Sequence, residues 1–186
     1  MNSTLAIILL SADIVLMTIY NICILRRFGV PVNLSITYYH YERVHKGLGL
    51  LFPALVVFIC CTTLPIWIIT SFTGSEWGMY FSPCGIITLI CLLAVAFSGR
   101  YKKRPGLIQF HYTCAIIAAT SAVVWLCFAA YQTLFVWVRV IILFGLIFAG
   151  IQTDTFKRCT LYWLENAAFY CIFVTLLLVY AIPMPI

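Results

Sequence analysis

Charge is what this chain has least of: 9% of its 186 residues are charged, and only five are acidic. Soluble domains carry about a quarter charged residues, so this composition excludes an ordinary water-soluble fold and also a solvated disordered segment. Polar stretches long enough to build a domain outside a membrane are missing as well, which excludes an appended nucleotide-binding fold. Metal-site spacing is also lacking: there is no C-x-x-C, no H-x-x-x-H and no H-E-x-x-H, and His40 and His45 lie five apart. No metal and no other cofactor is therefore expected. The first apolar run has no basic segment before it and ends in Arg26-Arg27 instead of a small-residue cleavage site, so it reads as a retained span.

What the chain has in abundance is apolar sequence. Hydrophobic residues make up 65% of it, and the mean hydropathy is +1.10. A helix rising ~1.5 Å per residue crosses a ~30 Å hydrocarbon layer in roughly 20 residues. Six runs of about that length are present, predicted at 4–25, 47–71, 79–98, 107–130, 134–151 and 159–182. The expected fold is all-α: one transmembrane domain over 1–186, a six-helix bundle whose short connections make sequence neighbours antiparallel neighbours.

Ten of the eleven basic residues set the expected orientation. Arg26, Arg27, Arg43 and Lys46 fall in the first connection, Arg100, Lys102, Lys103 and Arg104 in the third, Lys157 and Arg158 in the fifth. The positive-inside bias puts these odd-numbered loops in the cytoplasm and both termini outside, in a multi-pass protein of the cell (inner) membrane. Aromatic belts fit this, with Trp67, Trp77, Tyr80, Tyr131 and Trp137 at the outer interface and Tyr38, Tyr39, Tyr101, Tyr112, Tyr162 and Trp163 at the inner one. A net charge of +6 dispersed over loops points to anionic lipid and not to nucleic acid. Arg100, Lys102, Lys103 and Arg104 read either as a topology signal or as a lipid-headgroup contact.

Nine cysteines sit mostly inside apolar runs, where a thiol behaves as a small hydrophobe. Cys84 and Cys127, both near outward span ends, are the one pair placed to meet.

Ionisable side chains inside a membrane need a partner or a purpose. Asp13 falls mid-span in the first helix and Arg139 about five residues into the fifth, so an ion pair between them is geometrically reasonable. Its readings are a lock between two helices, a solute or ion path that also uses Tyr20 and Asn21, or Arg139 reaching the outer headgroups alone. At 100° per residue Asp13 and Tyr20 share one face of the first span, Ser11 and Thr18 the opposite one, which predicts a central helix. On the inner side His111 opens the fourth span and Glu165 the sixth. His111 shares a face with Ala115, Ala118, Ala119 and Ala122, a small-residue pattern that lets backbones approach closely. A His111–Glu165 pair with Ser35 or Tyr38 nearby is either a packing hydrogen bond or an acid–base site.

The segment Pro31-Val32-Asn33-Leu34-Ser35-Ile36-Thr37-Tyr38-Tyr39, with Phe110-His111-Tyr112 and Trp125 in the fourth span and Tyr162-Trp163-Leu164-Glu165 in the sixth, resembles poorly characterised six-span bacterial membrane families. That resemblance covers most of the chain in layout. A more distant similarity is to the membrane hydrolase superfamily that includes alkaline ceramidases, which implies a Ser, an Asp and three His around zinc on seven spans. Ser35, Asp13 and His111 are the positions that match; the paired histidines of the last span are absent. Three functions follow as expectations. The first is a non-enzymatic protein that binds or passes a small solute, proton or lipid. The second is a lipid-modifying enzyme at the cytoplasmic interface, and the third a structural subunit, homo-oligomeric or within a membrane complex.

Overall fold

The computed structural model describes residues 3–73, 78–98, 105–128 and 154–181. All regular structure in them is helical: α1 (Ser3–Phe28), α2 (Thr37–Val44), a 3₁₀ turn (Leu48–Leu50), α3 (Leu51–Thr73), α4 (Gly78–Ser98), α5 (Pro105–Phe128) and α6 (Asp154–Ala181). Four of the helices are long and apolar enough to cross a bilayer, over Ser3–Phe28, Leu48–Phe72, Gly106–Trp125 and Leu161–Ala181. Ser82–Ser98 forms a shorter apolar stretch. The molecule is thus compatible with an integral membrane protein. The run predicted at 134–151, and Arg139 with it, lies outside the described residues.

Helix ends follow local chemistry. The α1 helix stops at Gly29, whose φ of 72° is the left-handed geometry that favours glycine, and whose amide N–H donates to Leu25 C=O at 3.2 Å. Pro31 follows and cannot resume the helix. The connection predicted as a plain polar segment then folds into the short α2, because Asn33 Oδ1 accepts the Ile36 amide at 2.9 Å and sets the turn that precedes it. Glu42 Oε2 accepts the Gly47 and Gly49 amides at 2.9 and 3.2 Å, placing a carboxylate where α3 begins and the helix dipole is positive.

Among the described residues the five long helices form an arc in the order α6, α1, α3, α4, α5. The pairs α3–α4 and α4–α5 pack along their lengths, whereas α5 and α6 barely touch. Helix α1 buries Ala6, Leu10, Asp13, Met17, Tyr20, Asn21 and Ile24, a single stripe at three- and four-residue spacing. Its other side exposes Leu5, Ile8, Val15 and Ile19. Among the described helices it packs against α3 and α6. One polar face meets α3, and Thr18 on the other hydrogen-bonds the Tyr170 hydroxyl of α6 at 2.8 Å. Each polar face thus has a polar neighbour among the described helices.

Aromatic residues divide in the same way. Tyr80, Tyr112 and Trp163 are exposed, as an interfacial belt requires. Trp67, Tyr38 and Tyr162 are instead core residues. Trp67 meets Trp125 edge to face, with ring centroids 4.7 Å apart, and Trp125 Nε1 donates to Ser71 Oγ at 2.8 Å. Belt positions Trp77, Tyr101, Tyr131 and Trp137 lie outside the described residues.

Candidate functional site

The loop from Val32 to Ile36 is held between two helices that do not otherwise pack well against each other. On the α6 side, the Leu34 amide donates to Glu165 Oε2 at 2.5 Å, and the Tyr162 amide donates to Val32 C=O at 3.2 Å. On the α5 side, Ser35 Oγ lies 3.0 Å from His111 Nε2. The other ring nitrogen, His111 Nδ1, lies 2.9 Å from Ser98 Oγ at the end of α4. His111 and Glu165 thus make no bond to each other among the described residues; each grips the same loop, one through a side chain and one through the backbone. Spacing alone predicts the pair, and the intervening loop separates it.

Two cavities meet at Ser35. One is a partly open groove between α3, α4, α5 and α6, about 650 Å³ with the open space at its mouth included. Its walls are apolar: Phe52 and Val56 from α3, Leu92 and Val95 from α4, Phe169 and Ile172 from α6. The fourth wall is Ala115, Ala118, Ala119 and Ala122 of α5. These alanines were expected to draw a neighbouring backbone close. Helix α4 does pack closely on α5, and its Thr88 hydroxyl reaches Ala118 C=O at 3.4 Å; α6 stands off from α5, and on that side the alanines leave room for the groove. Ser35 and Glu165 stand at one end of it, and Thr88, the remaining polar wall residue, is already engaged with Ser121 Oγ at 2.8 Å and Cys84 C=O at 2.8 Å. The second cavity is a more polar vestibule of about 900 Å³, also open, lined by Asn33, Ser35, Tyr39, Ser98, His111 and Tyr112 among others.

Tyr38 does not join this group: it is buried, touches neither cavity, and meets Tyr39 edge to face at 5.2 Å. The site contains two residues that sequence reasoning missed. Ser98 was read only as the end of a span, and Asn33 only as part of a loop motif. The Asn33-x-Ser35-Ile36 turn chemistry was the available signal for the latter.

Farther along α1 the polar residues form a second, separate set. Asp13 is 0% exposed, and its carboxyl group accepts from Thr62 Oγ1 at 2.8 and 2.9 Å and from Thr63 Oγ1 at 3.1 Å. Among the described residues no cation meets it. Tyr20 Oη lies 2.5 Å from Thr37 Oγ1, about two turns of helix from Asp13. Asn21 donates through Nδ2 to Asn166 Oδ1 at 2.5 Å and accepts from Tyr162 Oη at 2.7 Å, and Asn166 Nδ2 closes the network on Tyr162 C=O at 2.8 Å. Asp13, Tyr20 and Asn21 were grouped as a ligand path; each is spent on helix-to-helix or helix-to-loop bonds, and none lines either cavity.

The headgroup candidates Arg100, Lys102, Lys103 and Arg104 lie outside the described residues. Cys84 is a free thiol, while the side chain of Cys127 lies outside the described set. No cluster of three or more His, Cys, Asp or Glu side chains with metal-binding geometry occurs among the described residues. Asp13 sits away from Ser35 and His111, so the three positions similar to the ceramidase-type hydrolases are not assembled into one centre.

Compared with protein-family models, curated proteins and solved structures, the chain matches none. Function therefore has to be argued from the site itself.

Proposed function

We propose that this is a six-span membrane protein that binds a single-chain portion of a bilayer lipid, with the acyl chain in the alanine-walled groove and the polar end at Ser35, His111 and Glu165. One observation carries this: the groove is apolar along its walls and polar at one end, the pattern of an amphiphile. From Glu165 to Ile172 it extends seven residues along α6, roughly 10 Å at ~1.5 Å per residue, so a chain lying in it runs with the helices, as bilayer chains do.

In this reading the Ser35 end faces the cytoplasm and both termini lie outside, the orientation that the positive-inside bias favours for the basic connections. That face is where anionic lipid and basic loops would meet. The buried Asp13–Thr62–Thr63 and Asn21–Tyr162–Asn166 networks serve the bundle in this reading, fixing α1 to α3 and to α6.

The test is photocrosslinking. Protein in lipid nanodiscs is exposed to a fatty acid carrying a terminal diazirine and an alkyne, and labelled peptides are mapped by mass. Labels are expected on α5 and α6 facing the groove. Ala119→Phe and Ala168→Phe each project a ring into it and should cut labelling severalfold. Labelling spread evenly over the exposed faces of α1 and α4, and unchanged by either substitution, refutes a specific groove.

A further inference from the structure

Ser35 lines both cavities, the apolar groove on one side and the polar vestibule on the other. A lipid ester seated with its chain in the groove and its headgroup in the vestibule would carry its carbonyl past Ser35. We infer that Ser35 and His111 form a nucleophile–base pair that hydrolyses such an acyl ester, an inference that rests on the lipid-binding reading above.

The geometry suits each role. Ser35 Oγ to His111 Nε2 at 3.0 Å is within the range for a serine activated by imidazole. The opposite nitrogen, Nδ1, points at Ser98 Oγ at 2.9 Å, and the Ser98 hydroxyl faces Val95 C=O at 3.3 Å. With that hydroxyl hydrogen directed to Val95, Ser98 accepts from Nδ1–H, which leaves Nε2 as the proton acceptor facing Ser35. Ser98 is thus a positioning residue: it holds the tautomer that makes His111 a base. Asn33 Oδ1 accepts the Ile36 amide at 2.9 Å; Ser35 Oγ stands 3.2 Å from the same oxygen, and its single proton must turn from there to His111 Nε2 for Ser35 to act as the nucleophile. Asn33 Nδ2 makes no hydrogen bond among the described residues, so it is the donor available to a carbonyl oxygen gaining charge beside Ser35. His111 is only partly buried and lines the vestibule, through which water can arrive.

The step balances with water as the only co-reactant. Ser35 Oγ attacks the ester carbonyl carbon while its proton passes to His111 Nε2; the C–O bond to the headgroup alcohol breaks, and that proton leaves with the alcohol. Water from the vestibule then gives a proton to His111 as its oxygen adds to the acyl carbon. The bond to Ser35 Oγ breaks, the proton returns to Ser35, and a fatty acid is released.

The experiment measures chemistry and chain binding separately. Protein in phosphatidylcholine nanodiscs is treated with a long-chain fluorophosphonate, with p-nitrophenyl octanoate or p-nitrophenyl acetate, and in parallel with the diazirine fatty acid. The expected result is phosphonylation at Ser35 and faster turnover of octanoate than of acetate. Both Ser35→Ala and His111→Gln should lose at least about a hundredfold in turnover, the scale of a lost nucleophile or base. Glutamine keeps a hydrogen-bonding side chain at 111 but is no base, and a thermal unfolding midpoint close to the parent's in both variants shows that they fold. Ser98→Ala should shift the pH–rate profile and lower turnover less than His111→Gln does. If photolabelling is normal but Ser35 is never phosphonylated and hydrolysis does not exceed that of empty nanodiscs, the nucleophile assignment is overturned while lipid binding stands. If photolabelling itself is absent, both fall. Turnover that survives Ser35→Ala also overturns the assignment.

Discussion

Gly85 should be a size-sensitive position of the bundle. A Cβ added there would stand 2.8 Å from Trp67 Nε1, 3.0 Å from Cδ1 and 3.1 Å from Cε2. The indole cannot swing away easily, since Trp67 is 2% exposed and its ring is set against Trp125. Overpacking of this kind costs about 1–3 kcal/mol. At about 2–4 °C per kcal/mol for a chain of this size, Gly85→Ala should lower the unfolding midpoint by about 2–12 °C. Trp67→Ala removes the atoms in collision and also a buried Nε1–H that has no hydrogen-bond partner among the described residues. In that background Gly85→Ala should cost close to nothing. Thermal unfolding of detergent-solubilised protein, followed by size-exclusion chromatography, gives the double-mutant cycle. An equal loss in both backgrounds, or none in the parent, would refute the contact.

Three further outcomes follow from the buried polar groups and the one other tight glycine. Thr62→Val with Thr63→Val strands the Asp13 carboxyl group and should destabilise by about 1–3 kcal/mol, but by much less once Asp13 is Leu, as a comparison of unfolding midpoints would show. Asn21→Leu alone leaves Tyr162 Oη and Asn166 Oδ1 without their partner. It should be more harmful than the combined Asn21→Leu, Tyr162→Phe, Asn166→Leu variant, in which every member of the network is apolar; the same midpoints test it. At Gly49 a Cβ would lie 2.7 Å from Tyr38 C=O and 2.9 Å from Glu42 Oε2, backbone and capping group together. Gly49→Ala should loosen α2 from the start of α3 by about 1–3 kcal/mol, seen as faster amide exchange over 37–50.

How much of this could be read without coordinates depends on the interaction involved. The apolar runs are fixed by the length of a bilayer crossing, and α1, α3, α4, α5 and α6 fall on them within a few residues, although α6 starts at Asp154, earlier than predicted. The short α2 was missed because its eight residues carry no apolar period of spanning length; a side-chain turn at Asn33 nucleates it. His111, Glu165 and Ser35 could be singled out because ionisable and hydroxyl groups near a span end are uncommon. Their wiring could not, since a histidine and a glutamate at matching depth are equally consistent with a direct bond and with a shared loop between them.

Sequence alone determined that this chain is helical and built for an apolar surrounding, because hydropathy and helix rise depend on local composition. Tertiary structure decided everything that rests on which faces meet. It gave Asp13 two threonines, put Trp67 in the core and not at an interface, and left α5 apart from α6, so that a row of alanines became the wall of a groove. The physical reason is that alanine spacing specifies only how closely a neighbour can approach. Whether it does is set by the other contacts of that neighbour, and α6 makes its closest contacts with α1.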